Sequence, residues 1–191
     1  IACNPDYAEA WWNKALSHLL AGDYGAGWRL YEWRWRHEKT GLQPRHDTQR
    51  LWLGQTTLAD KTILLHSEQG LGDTIQFCRY AREVAALGAR VIMDIPKPLV
   101  SLLKALEGVD LLLTEGDALP AFDYHCPLMS LPLACATELA TIPSSARYLY
   151  ADEAKRASWA EWLGAKRQPR VALVWRGSAG HHNANKRNLA L

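Results

Sequence analysis

The chain has 191 residues, 48% hydrophobic and 22% charged, with 13 Gly and 9 Pro, a globular balance that excludes disordered, collagen-like and coiled-coil chains. Its 22 basic and 20 acidic residues leave a formal charge of +2, which is no footprint for nucleic acid or an anionic membrane. Cys3, Cys78, Cys126 and Cys135 show no CxxC spacing and read as thiols of a reducing, cytoplasmic compartment. No apolar run reaches the roughly 18 residues of a membrane span, and no charged-then-apolar leader opens the chain. A start at Ile1 and an end at Leu191 suggest a piece of a longer protein.

Of nine Trp, five (Trp11, Trp12, Trp28, Trp33, Trp35) fall in the first 35 residues. After Asn4-Pro5-Asp6, apolar residues recur at helical spacing from Ala8 to Ala21; Gly22-Asp23 breaks the run, and a second helix is expected over Tyr24–Arg36. Trp11, Ala15, Gly22, Asp23, Tyr24 and Tyr31 stand where a tetratricopeptide repeat places its small and aromatic packing residues, so residues 1–40 resemble one such hairpin. The pattern departs at Gly27, Arg34 and Lys39. A lone repeat cannot bury its own face, and the Trp excess favours docking on the domain that follows.

Residues 41–60 form a polar connecting segment anchored by Trp52. Beyond it, strands are expected at Thr62–His66, Arg90–Ile95, Val109–Thr114 and Phe122–Cys126, with Tyr148–Tyr150 a further short apolar segment. Helices are expected at Asp73–Leu87, Pro98–Leu106, Leu128–Leu139 and Asp152–Leu163, before the apolar run Arg170–Trp175. That alternation predicts a doubly wound parallel α/β sheet with helices on both faces, which binds ligands at the carboxyl ends of its strands. Two loops meet that condition.

The first, Ser67-Glu68-Gln69-Gly70-Leu71-Gly72-Asp73-Thr74-Ile75-Gln76, leads from strand to helix. Gly70 and Gly72 permit a tight turn and close backbone approach. The loop lacks the third glycine of a dinucleotide fingerprint and the Gly-Lys-Ser/Thr of a Walker A loop. Asp73 reads either as a reactive carboxylate or as an ordinary helix cap. The second loop, 176–188, carries Arg176, Ser178, Lys186 and Arg187, suited either to phosphate or to solvent. His181-His182 lacks a third ligand, so no metal site is expected. His66 could line a pocket or serve structure, His125 has no assignable partner, and Cys78 belongs to the core.

Together the hairpin, Gly70–Tyr80, Phe122–Pro132 and Val174–Ser178 resemble bacterial tetratricopeptide proteins fused to a glycosyltransferase-like domain, similar to heptosyltransferases and, more distantly, to O-linked N-acetylglucosamine transferases. The resemblance implies that residues 61–191 are the Rossmann-like, acceptor-side lobe of a GT-B fold, with no cofactor and a nucleotide-diphosphate sugar as substrate. It implies Asp73 as general base, Gly70, Gly72 and Gln76 in the acceptor loop, Lys186 and Arg187 on the donor phosphates, and His66, Arg176 and Ser178 at the pocket. The chain alone, lacking a donor lobe, is expected to be inactive. Two rivals are a catalytically silent scaffold that binds a protein partner through the hairpin, and a dinucleotide-dependent oxidoreductase with Asp94 beyond the glycine loop.

Overall fold

The computed structural model describes residues 4–145 and 147–174, together with Gly177 and Lys186. They fall into two compact units, 1–150 and 151–191. In the first, helices α1 (Ala8–Leu20) and α2 (Tyr24–Tyr31) form a close pair, and a 3-10 turn, Glu32–Arg36, extends α2. Gly22 takes a positive φ of 82° at the turn, and Asp23 caps α2 by accepting the Ala26 N–H at 3.2 Å. Gly27 sets the approach of the pair: a Cβ there would stand 2.6 Å from Leu19 Cδ2. The departure from the repeat pattern at Gly27 is thus a packing requirement.

A four-stranded, all-parallel sheet follows, compatible with a Rossmann-like fold, with β1 (Thr62–His66), β2 (Arg90–Asp94), β3 (Leu111–Leu113) and β4 (Tyr124–Pro127) in the order β3-β2-β1-β4. The β1–β2 crossover carries α3 (Leu71–Phe77) and α4 (Tyr80–Ala86), and the shorter helices α5 (Val100–Leu103) and α6 (Leu131–Ala134) follow β2 and β4. Because β1 lies between β2 and β4, the strand order reverses at the β1–β4 boundary.

Register partners in parallel strands share a face, and successive residues alternate. Ile63, Leu65, Val91, Met93 and Cys126 therefore face one side, where they join a core with Phe77, Ala81, Val84 and, from the helical pair, Ala15 and Tyr31. The pair is docked on the sheet through this core. Leu64, His66, Ile92, Asp94, Leu113 and His125 face the other side. There the apolar cluster is small, Leu64, Ile92 and Leu113 with Leu111 and Phe122, and draws on no described helix. His46 packs edge-on against Phe122, closing a face for which the alternation predicts helices.

Other elements also differ from the pattern. The helix expected over Asp73–Leu87 is stepped, α3 ending at Phe77 and α4 starting at Tyr80, and at the step Arg79 Nε donates to the Gln76 carbonyl at 2.8 Å. The helix expected over Leu128–Leu139 shrinks to α6, ending before Ala136 at a positive φ of 47°. Tyr148–Tyr150 and Arg170–Val174 form no strand, since no described backbone pairs with them, and Val174 is 90% exposed. In the second unit, α7 (Glu153–Leu163) is capped by Asp152, which accepts the Lys155 N–H at 3.1 Å. The connecting segment gains a role: Leu51 bridges His125 in parallel, and Trp52, 2% exposed, donates its indole N–H to Thr56 at 3.0 Å.

Gly108 has φ 85°, and a Cβ there would stand 2.7 Å from the Arg82 Cα. Gly108→Ala combines a left-handed residue with overpacking, each worth about 1–3 kcal/mol, so urea denaturation should show a loss of at least about 2 kcal/mol. A change below about 0.5 kcal/mol, the range of neutral surface substitutions, would contradict that packing.

Candidate functional site

The carboxyl ends of β1 and β4, where the strand order reverses, are the position at which open α/β sheets place ligands. β1 exits through Ser67-Glu68-Gln69-Gly70 into α3. Gly70 occupies the helix N-cap, its carbonyl accepts from Thr74 N at 3.1 Å, and its N–H donates to Asp73 Oδ2 at 3.0 Å. Asp73, third residue of the helix, therefore caps with one oxygen; the other has no hydrogen-bond partner among the described residues, and the side chain is half-buried. Gly72 is exposed with open space around it.

Beside this loop lies a buried ionic cluster that the sequence reading missed. Arg34, 0% exposed, donates from Nε to Glu68 Oε1 at 2.7 Å, from one terminal nitrogen to Glu32 Oε1 at 2.6 Å and from the other to Ser130 Oγ at 2.6 Å. Ser130 Oγ in turn donates to Glu32 Oε1 at 2.8 Å. The guanidinium carbon lies 5.0 Å from the Tyr31 ring centroid and 4.4 Å from that of Trp35. Burial pushes the Glu68 carboxyl up to about 7; Arg34 opposes this, while Glu32 and Asp73 push it further. Arg34 joins three elements: the helical segment, the β1 exit and the β4 exit. The available signal was Arg34 itself, a charge at a position where the repeat pattern expects a small residue.

Two cavities flank the loop. A polar cleft of about 580 Å³ lies beyond the ends of β1, β2 and β3 and includes Arg45, His46, Ser67, Asp94, Thr114 and Asp117. Arg45 forms an ion pair with Asp94, so the acid at the end of β2 is already neutralised. A smaller groove of about 260 Å³ is lined by Trp28, Gln76, Phe77 and Tyr80. Gln76 thus faces the groove, and Asp73 lines neither cavity.

His66 does not line the cleft but sits 1% exposed beneath it, Nε2 3.2 Å from His125 Nδ1, with both rings edge-on to His46. Burial, then the Arg45 charge and the neighbouring histidines, hold His66 down at about 2, and burial also lowers His46 and His125. These rings are therefore neutral packing groups of the second sheet face. No group of three or more His, Cys, Asp and Glu among the described residues is arranged to hold a metal ion.

Lys186 is exposed in the second unit, and Arg176, Ser178 and Arg187 lie outside the described residues. Cys78, Cys126 and Cys135 are free thiols. No described helix is long and apolar enough to cross a membrane. Comparison of the chain with family models, curated proteins and solved structures finds no match.

The histidines have a measurable consequence. Unfolded His66 binds a proton near 6.5 and the folded ring does not until about 2, so its stabilising contribution is present above pH 6.5 and is lost as pH falls below it. Glu68 acts in the opposite sense: raised from 4.5 to about 7, it contributes most below 4.5 and loses that contribution as pH rises through 7. Comparing chains that differ only at position 66 separates the two. Relative to His66→Asn, the unsubstituted chain should lose up to ~1.4 kcal/mol per pH unit between 6.5 and 5 in urea denaturation. Equal slopes would show that His66 is not held neutral.

Proposed function

We propose that this chain is the acceptor-side part of a glycosyltransferase that moves a sugar from a nucleotide-diphosphate donor to a hydroxyl acceptor, with Asp73 as general base. The observation that carries the reading is the Asp73 carboxylate at the β1 exit, one oxygen fixed by the Gly70 N–H and the other without a hydrogen-bond partner among the described residues. A general base needs both features, an orientation that costs nothing at the moment of reaction and a free lone pair. The parallel strands end beside a cleft that Ser67, at the start of the same loop, lines, while Asp73 itself lines neither cavity.

In the proposed reaction the acceptor hydroxyl passes its proton to the open oxygen of Asp73 while its own oxygen bonds to the anomeric carbon. The bond from that carbon to the diphosphate breaks, and the nucleoside diphosphate leaves with the electron pair. Cations must balance the charge that develops on the leaving group. By resemblance that task falls to Lys186 and Arg187, and the exposure of Lys186 suits it. Part of the apolar surface of the helical pair is taken up by the sheet, Trp28 packing edge-on to Phe77 and Tyr31 donating to Met129 Sδ at 3.8 Å. This supports the catalytic reading over a peptide-binding scaffold. The Arg45–Asp94 ion pair counts against the dinucleotide reading, which needs that acid for a ribose.

The test is Asp73→Asn in the protein as it is natively expressed, with transfer followed by release of nucleoside diphosphate. The amide retains an oxygen for the Gly70 N–H, so stability should change little while kcat falls by about 10²–10⁴. A rate within about threefold of the unsubstituted protein would contradict the general-base role.

A further inference from the structure

We propose that the first unit holds a second site, a pocket for the phosphate group of a small phosphate monoester, formed around the guanidinium of Arg79 with Arg82 and Arg147. The inference goes beyond the transferase reading and stands whether or not that reading holds.

The case begins with Arg79, at the step between α3 and α4. Its guanidinium is fixed at every nitrogen: Nε donates to the Gln76 carbonyl at 2.8 Å, one terminal nitrogen to the Pro143 carbonyl at 3.2 Å and the other to the Tyr148 hydroxyl at 3.0 Å. The central carbon lies 4.4 Å from the Tyr148 ring centroid, and the Tyr148 hydroxyl donates in turn to the Ile75 carbonyl at 3.1 Å. All of these acceptors are neutral. Arg79 is half-buried, and it forms no ion pair with a described residue. A guanidinium always carries its charge, and withdrawing it from water without a counter-charge is costly. Arg34 meets that demand with Glu32 and Glu68. Arg79 has the hydrogen bonds without the opposite charge, which an anion from solution would supply.

The surroundings suit an anion. Arg79 lines a pocket of about 270 Å³ that α4, the turn before β3 and residues 143–145 and 147–148 enclose, and Arg82 and Arg147 line it too. The carboxylates at the pocket, Glu83 and Glu107, are fewer and exposed. Glu107 approaches Arg82 only to 3.6 Å, and with both side chains open to solvent that pair is weak and screened. The Arg147 side chain makes no hydrogen bond or ion pair to another described residue, each terminal nitrogen of Arg79 has a second N–H to give, and the Ser144 hydroxyl stands at the same pocket.

The donor set also selects the anion. Guanidinium groups bind oxyanions through paired N–H groups, and several of them offer more donors than the two oxygens of one carboxylate use. A phosphate monoester presents three oxygens and a charge of about −2, enough to engage all three arginines. The volume falls just below the roughly 300–1,000 Å³ of ordinary small-molecule pockets, so the esterified group is small.

The experiment is nitrogen NMR of the full chain, following the Arg79 Nε–H and the amides of Arg82 and Ser144. The probes are methyl phosphate, inorganic phosphate, acetate and chloride at matched ionic strength, applied to unsubstituted and Arg147→Ala forms. Methyl phosphate should shift these signals saturably and bind at least as tightly as inorganic phosphate, with acetate weaker. Arg147→Ala should weaken methyl phosphate binding by about tenfold or more, the effect of one lost charge-assisted hydrogen bond. Arg147 is exposed and its side chain bonds no described residue, so this substitution leaves the fold intact. Shifts that do not saturate, or that chloride reproduces, overturn the inference, as does an affinity unchanged in Arg147→Ala. Acetate bound as tightly as methyl phosphate assigns the pocket to carboxylates, and inorganic phosphate bound about tenfold tighter than methyl phosphate assigns it to the free ion; either result also overturns the inference.

Discussion

A guanidinium with no access to water must have its charge balanced and its donors filled, and the first 150 residues are organised around meeting that demand for Arg34. Its partners are scattered in sequence: Glu32 in the same turn, Glu68 at the exit of β1 and Ser130 at the exit of β4. They meet only if the helical pair lies against the carboxyl end of the sheet at the β1–β4 boundary. Hydrophobic contacts through Ala15, Trp28 and Tyr31 supply the area of that docking. The ionic contact supplies its register, because a directional donor set tolerates one arrangement where apolar surfaces tolerate several.

The same constraint reaches the loop that carries Asp73. Glu68 is held from one side by Arg34, five residues before an aspartate whose own carboxylate is tied to Gly70. Both ends of the segment between them are thus held by a hydrogen bond. Across the sheet the design differs. The second face buries neutral His66 and His125 under His46 and Phe122, and its small apolar cluster leaves the carboxyl ends of β1 to β3 bordering a polar cleft.

Much of this arrangement was legible in the residues. Helical periodicity and the Gly22-Asp23 break located the paired helices, because a stripe of Trp and small residues can face only one way. Short apolar runs located four parallel strands, and Trp52 announced itself as an anchor. The misses have common physical causes. Arg170–Val174 has the composition of a strand, but a strand exists only where another backbone pairs with it. The long helix after the glycine loop is stepped between Phe77 and Tyr80, a break that apolar periodicity does not register. Arg34 and Glu68 escaped because burial of a charge is set by partners distant in sequence, and composition registers only that a charge is present. The residues that break the repeat pattern, Gly27 and Arg34, are the ones that pack the helical pair internally and fasten it to the sheet.

Native-state hydrogen exchange tests that fastening most directly. If the Arg34 cluster makes one cooperative body of the helical pair and the sheet, the most protected amides of α1 and of β1 should exchange through a common opening of equal free energy. Arg34→Met, which strands the Glu68 and Glu32 carboxylates, should lower both together by about 3–5 kcal/mol. Helical amides that open well before those of β1 in the unsubstituted chain, or an Arg34→Met chain that loses protection in the helices alone, would contradict the account.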